Sequence, residues 1–168
     1  MKDQSVVGII FNESKDKILL IKRRDIPVWT LPGGGIEEKE SPEKAIVREI
    51  LEETLCNVKI IRKIAEYIPK NRLSKYTYFY ECKIISGFPQ TNEEAIDINF
   101  FSLNNLPKKI PPPYPNWIED SKKNNKQVLI KKIENVNYFI LTKNIILHPI
   151  LTFRFLLTKI GIHINSKK

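Results

Sequence analysis

Glu49, Glu52 and Glu53 are spaced so that, on an α-helix, their carboxylates share one face within side-chain reach of each other. Three like charges side by side repel, and the arrangement is costly unless a cation neutralises it. Carboxylate oxygens suit hard divalent cations, so Mg²⁺ or Mn²⁺ is the natural partner of such a trio. Just upstream, Pro32 leads into Gly33, Gly34 and Gly35, which carry no side chain. A backbone of that kind lets amides and carbonyls approach a phosphate or a metal closely. Taken alone, paired glutamates on a helix are more often an ordinary solvated face. The glycine loop beside them shifts the balance towards chemistry.

The helix that must carry these groups is well signalled. Ser41 is a good N-cap, Pro42 suits the first helical position, and Glu43 complements the positive helix end. Beyond them Ile46, Val47, Ile50, Leu51 and Thr54 read as a face that buries against a sheet. Ala45, Arg48, Glu49, Glu52 and Glu53 read as a face that lines a cleft.

The stretch from Gly33 to Cys56 resembles the Nudix box, G-x5-E-x7-R-E-U-x-E-E-x-G-U with U apolar. Gly34, Glu40, Arg48, Glu49, Glu52 and Glu53 match it at the fixed spacings, and Ile50 fills the first apolar position. Trp29-Thr30-Leu31-Pro32 is similar to the family's entry strand, and residues 94–107 to its late strand and following loop. The resemblance thus covers roughly residues 6–106. It implies an α/β fold, an α/β/α sandwich with a mixed sheet. It also implies a metal-dependent hydrolase that cleaves the pyrophosphate linkage of a nucleoside diphosphate joined to another group. Under it, Glu49, Glu52 and Glu53 are the catalytic carboxylates and hold Mg²⁺ or Mn²⁺, with the Gly33 carbonyl as a further ligand. Glu49 is the first candidate for general base, and Glu94 or Asp97 is the alternative base or outer ligand. Arg48 pairs with the carboxylates and orients them, and Glu40 braces the loop against the helix. Arg23 and Arg24 are candidates for holding substrate phosphates, though a solvated turn explains that pair equally well.

Two positions depart from the family pattern. Leu55 stands where the box has its closing glycine, with Cys56 at the last apolar position, and Lys39 stands where many relatives have glycine before Glu40. A leucine in the left-handed conformation costs on the order of 1 kcal/mol or more. The helix end is therefore expected to shift to Asn57, which tolerates that conformation.

Around the helix, residues 6–11 and 17–21 read as strands separated by the turn Asn12-Glu13-Ser14, and residues 29–31 lead into the glycine loop. Residues 58–67, 76–85 and 96–102 read as further strands. The proline-rich segment 107–115 reads as a domain edge. Tyr114 and Trp117 could stack on a nucleobase over the cleft, but packing the linker onto the domain is the favoured reading. The expected division is a catalytic domain over residues 1–120 and a C-terminal extension over 121–168. In the extension, residues 127–134 and 136–142 read as a hairpin about Glu134-Asn135. An apolar helix over residues 145–164 starts near Pro149 and ends near Gly161.

The net charge of +9 is not evenly spread, because residues 1–120 are neutral and the last 48 residues carry ten Lys and Arg against one acid, Glu134. A neutral body argues against a nucleic-acid-binding enzyme, except one that takes a capped RNA 5′ end. Three readings fit the apolar segment of the tail: a helix buried on the domain, a homodimer contact, or a membrane-surface anchor. Burial or self-association is favoured over the membrane, since most such helices in soluble chains are core. Cys56 and Cys82 have neither metal nor disulfide spacing, and the opening residues read as a strand rather than a signal peptide. A reducing cytoplasm is the expected setting. His148 and His163 both lie in the tail, so no histidine base is expected in the cleft. The expected partner is a small-molecule nucleotide. Nucleoside triphosphates, nucleotide sugars, dinucleoside polyphosphates and capped RNA ends all remain open. A non-catalytic nucleotide sensor and a tail-anchored docking protein are the alternatives.

Overall fold

The computed structural model describes residues 4–108, 110–123 and 127–159. In chain order the elements are β1 (Gln4–Ile10), β2 (Lys17–Arg23), β3 (Trp29–Thr30), α1 (Pro42–Thr54), β4 (Asn57–Ile68), β5 (Tyr76–Ser86), β6 (Ala95–Ser102), α2 (Tyr114–Lys122), β7 (Leu129–Lys132), α3 (Tyr138–Leu147) and α4 (Pro149–Lys159). One sheet runs β1-β5-β4-β7, with β1 parallel to β5, β4 antiparallel to β5, and β7 parallel to β4. The other runs β3-β2-β6 and is antiparallel.

Strand periodicity sends alternate side chains to opposite faces. Val6 and Ile10 of β1 join Leu19 of β2, Tyr80 and Cys82 of β5 in a core against Ala45, Ile46 and Ile50 of α1. Val7 and Ile9 join Ile18 and Leu20 in a second core that takes in Tyr67, Phe79, Trp117 and Ile118. The sheet strands are thus clamped between α1 and α2, an α/β/α sandwich. Gly8 in β1 is needed for the approach of α1, because a Cβ there would stand 2.8 Å from Ile50 Cδ1 and 3.1 Å from Ile46 Cδ1.

The faces of α1 differ from the expected division at both edges. Ala45 is buried with Ile46 and Ile50, and Leu51 is exposed. Glu53 is buried too, at 5% exposure. Ser41 caps the helix as expected, its Oγ accepting from Lys44 N at 3.3 Å.

The expected helix end at Asn57 is overturned. Leu55 itself takes the left-handed conformation, with φ 60° and ψ 21°, and its N–H donates to Leu51 O at 2.8 Å. Asn57 is already the first residue of β4, paired with Ser86, so the chain must reverse before it gets there. Cys56 is buried and Leu55 keeps a 46% exposed side chain. Lys39, the other departure from the pattern, is also left-handed, at φ 64°. At both positions where the family pattern has glycine, the backbone therefore takes the conformation that favours one. Replacing Leu55 or Lys39 with Gly is expected to stabilise by about 1 kcal/mol each, less the entropy glycine adds to the unfolded chain. The two sites are separate, so the gains add in the double variant. Urea melts of the single and double variants measure this, and unchanged or lower midpoints would refute it.

Beyond residue 107 the favoured packing of Trp117 on the domain is found, whereas the hairpin is not. The proline-rich segment runs directly into α2, whose Trp117 ring stacks on Tyr67 at 4.3 Å, so Trp117 packs the core and is not available to a base. The expected hairpin is absent. Only β7 is a strand, and it pairs with β4 rather than with its sequence neighbour. Residues 138–147 are helical because Asn137, expected within the second strand of the hairpin, caps them. Its Oδ1 accepts from Ile140 N at 2.9 Å and its carbonyl from Leu141 N at 3.0 Å. The helix expected from Pro149 is present as α4, and Gly161, its expected end, lies outside the described residues. Among the described residues of the expected apolar segment 145–164, Ile146, Leu147, Ile150, Phe153 and Leu156 are exposed rather than buried on the domain.

Candidate active site

The glycine loop lies antiparallel along β1. Val6 N donates to Gly34 O at 2.9 Å, Gly8 N to Pro32 O at 2.8 Å, and Ile36 N to Gln4 O at 3.2 Å. Gly33 is held at φ +147°, and a Cβ there would come within 2.2 Å of Val6 O. Only glycine allows that approach. Its N–H is aimed at α1 and donates to Glu53 Oε2 at 2.7 Å. A Cβ on Gly34 would fall 2.3 Å from Glu49 Oε2, so the Glu49 carboxylate fills the space a side chain would take. The loop and the acidic helix are therefore in direct contact through two of the three carboxylates.

Arg48 is the hub on the outer side. Its Nε donates to Glu40 Oε1 at 2.9 Å and its Nη2 to Glu40 Oε2 at 2.8 Å, a bidentate pair. Nη2 also donates to Gly35 O at 3.0 Å. Nη1 donates to Glu49 Oε1 at 3.1 Å and Glu52 Oε2 at 2.9 Å. Glu40 Oε2 in turn accepts from Glu37 N at 3.1 Å, which ties the loop to the helix. The Arg48 guanidinium holds the Glu40 carboxyl below its ordinary value.

The inner carboxylates feel the opposite pull. Burial raises the Glu53 carboxyl to about 8, with Glu49 and Glu94 adding to the rise and the Gly33 N–H and Arg23 opposing it. Burial also raises Glu49, against the attraction of Arg48 and with repulsion from Glu52 and Glu94. Glu94 is exposed, but it lies near enough to act on both. Asp97 is placed differently. It lies opposite Lys22 in the β2–β6 register and accepts from Asn99 Nδ2 at 2.8 Å.

Of the two arginines, Arg23 faces the inner site. It forms a bidentate pair with the buried Asp25, Nε to Oδ1 at 2.9 Å and Nη2 to Oδ2 at 2.6 Å. Burial disfavours its charge, but Asp25 outweighs that and Glu53 adds to the effect, so the guanidinium is held more firmly protonated than usual. Arg24 is turned to the loop that carries Glu94. Its Nε donates to Glu93 O and its Nη2 to Asn92 O, both at 2.7 Å. Asn92 was not singled out from the sequence. It donates to Glu52 O at 2.5 Å and accepts from Glu94 N and Ala95 N at 2.9 Å, which fixes Glu94 against the end of α1. An asparagine in a polar stretch before a strand is the signal of such a turn. Tyr114 belongs to the same neighbourhood. Burial pushes its hydroxyl up to about 12, with Arg23 opposing and Glu53 adding.

Among the described residues no three acidic, histidine or cysteine side chains converge closely enough to grip a cation. The physical reason is Arg48, which sits between Glu49 and Glu52 and takes an oxygen from each. The donor set still fits a hard divalent ion. It is all oxygen, Glu49 and Glu53 are raised in pKa by burial first and by neighbouring carboxylates second, and the Glu49 carboxylate lies directly against Gly34.

The raised acids make a pH prediction for the metal-free protein. A glutamic acid at about 8 in the fold and near 4.5 when unfolded contributes stability that is complete below the lower value. It is lost as pH rises through the upper one. In EDTA the protein should therefore lose on the order of a few kcal/mol between pH 5 and pH 8.5. Glu53→Gln should flatten most of that decline. Saturating Mg²⁺ should raise the melting temperature more at pH 8 than at pH 5. Melts whose midpoint climbs from pH 5 to pH 8.5 would contradict the placement of Glu53.

A sheet clamped between helices, with a helix of carboxylates set against a glycine loop, is a Nudix arrangement, and the chain belongs to that family: the NUDIX domain model matches residues 1–121. A Bacillus subtilis (strain 168) relative named "Putative 8-oxo-dGTP diphosphatase" is 46% identical over 80 residues, 47% of this chain and 53% of that protein. An ADP-ribose pyrophosphatase of Methanocaldococcus jannaschii is 38% identical over 110 residues, 62% of this chain and 64% of the relative. The chain thus spans between about half and two thirds of the length of these relatives. Among solved structures, an ADP-ribose pyrophosphatase from Streptococcus suis 89-1591 superposes with a TM-score of 0.62 at 27% identity, covering 79% of this chain and 99% of that one.

Proposed function

We propose that the protein is a metal-dependent pyrophosphohydrolase acting on a small nucleotide whose diphosphate is joined to another group. The observation that carries this is the contact between Glu53, buried and raised to about 8, and the Gly33 N–H, with Glu49 lodged against Gly34. Buried acids in repulsive contact are unfavourable for folding alone, and such perturbed groups mark functional sites. Glu49, Glu52, Glu53 and the Gly33 carbonyl are the residues to hold Mg²⁺ or Mn²⁺. Such an ion offsets charge on the phosphoryl oxygens and makes water a better nucleophile.

The chain's own groups supply the rest. Water oxygen attacks one phosphorus, the bridging P–O bond breaks, and the bridging oxygen leaves on the other phosphate. The proton from water passes to a carboxylate. Glu49 is the first candidate, because burial already raises its affinity for a proton. Glu94, held beside it by Asn92 and Arg24, is the alternative. Arg23, charged and close to Glu53, is placed to meet a substrate phosphate. Arg48 and Glu40 act by position, keeping Glu49 and Glu52 from splaying apart. In this reading residues 1–120 are the catalytic body and 121–168 an extension tied to it by β7.

One observation also suits a non-catalytic nucleotide sensor: Arg48 already neutralises two of the carboxylates without a metal. A substrate panel separates the two. It should include 8-oxo-dGTP, ordinary nucleoside triphosphates, ADP-ribose, nucleotide sugars and capped RNA, each with Mg²⁺ and with Mn²⁺. Release of phosphate, pyrophosphate or AMP is read out. Metal-dependent turnover of at least one class is expected. Tight binding without turnover would favour the sensor and overturn the enzyme.

A further inference from the structure

We propose that α3 and α4 form a docking surface for an anionic lipid bilayer, lying on the membrane rather than crossing it. The observations are the exposure, the pattern and the charge of these two helices. Phe139 is 78% exposed, Ile146 80% and Ile150 75%, with Leu147, Phe153 and Leu156 also open. Phe139 and Ile146 are seven residues apart and share a face of α3. Ile150, Phe153 and Leu156 recur every third residue along α4. A helix apolar around most of its circumference is normally covered by protein or by lipid. In this chain α3 and α4 follow one another across His148 and leave these side chains uncovered.

Charge selects the occupant. Residues 138–159 contain no acid, but do contain Lys143, Arg154 and Lys159, and the last 48 residues hold the whole net charge of +9. A second copy offering the same face brings the same positive charge against it. An anionic headgroup layer offers the complement, and its acyl boundary takes the apolar side chains. Among the described residues no helix is long and apolar enough to cross a membrane, so the attachment is to the surface.

The test uses the full chain and sedimentation with vesicles, phosphatidylcholine alone or with 30% phosphatidylglycerol. Binding is expected to the anionic vesicles at 50 mM salt, with at least tenfold weaker binding to neutral vesicles and at 500 mM salt. Phe139→Ser with Phe153→Ser, which alters no charge, should weaken binding about tenfold or more and leave the melting temperature unchanged. No binding to anionic vesicles at low salt overturns the proposal. So does binding that the serine variant does not weaken. A dimer in vesicle-free solution that the same variant dissociates would assign the surface to a second copy instead. Should the serine variant fail to fold, the lipid and salt comparisons on the unmodified chain still decide.

Discussion

Glu53→Gln should lower turnover of the best substrate in Mg²⁺ by about a thousandfold, yet leave the protein folded. The carboxylate is 5% exposed and accepts from Gly33 N at 2.7 Å. Glutamine keeps an acceptor oxygen for that N–H and keeps the volume of the side chain. What it removes is the capacity to become charged, which a cation site needs and which a purely structural hydrogen bond does not. At neutral pH the metal-free fold holds this acid mainly protonated, so the amide resembles the form already present. Its melting temperature in EDTA should match that of the unmodified protein only near the ordinary carboxylate value of 4.5 and exceed it increasingly from there to about pH 8. A variant with full Mg²⁺-dependent turnover would remove Glu53 from the metal site. A variant that unfolds would show that the Gly33 contact is structural first.

Trp117→Ala should cost about 4 kcal/mol, the largest effect on stability expected from any single change considered. Trp117 stacks on Tyr67 at 4.3 Å, tilts against Phe79 at 6.0 Å and meets Tyr114 edge-on at 5.6 Å. Truncation leaves a cavity between α2 and the sheet that rigid strands cannot close. For a chain of this size the melting temperature should fall by roughly 10 °C. Phe139→Ala, on the open face of α3, should change stability by no more than about 0.5 kcal/mol. Equal losses in the two variants would mean that α2 is no more integral to the fold than α3.

The sequence was most legible where local chemistry and tertiary context agree. Strands β1 to β6 are found within a few residues of their expected limits, because alternation is a property of the chain itself. Ser41, Pro42 and the glutamate spacing made α1 readable in the same way. The acidic trio and the glycine loop were visible as a site. Their wiring was not: that Glu53 is buried, that Arg48 reaches five acceptor atoms and that Asn92 fixes Glu94 all depend on distant parts of the chain. Leu55 shows the limit from the other side. Its propensity argued for a later turn, but β4 begins at Asn57 and pairing with Ser86 leaves no room for one. In the tail, Val136, Tyr138, Phe139 and Ile140 look like a strand by composition. Asn137 supplies the cap that decides for a helix, and no neighbouring strand among the described residues pairs with them.

The missing side chain at Gly8 bears on the tolerances of the site. The glycine loop is hydrogen-bonded to β1 through Val6 and Gly8, while α1 rests on the same strand with Ile46 and Ile50 over Gly8. Both halves of the site are therefore measured from one datum. A displacement of β1 carries loop and helix together and preserves the Gly33–Glu53 separation. A methyl group at Gly8 would act as a shim under the helix alone, opening that gap while the loop stayed in place. Small errors of strand position are thus forgiven in this architecture, and errors of helix height are not.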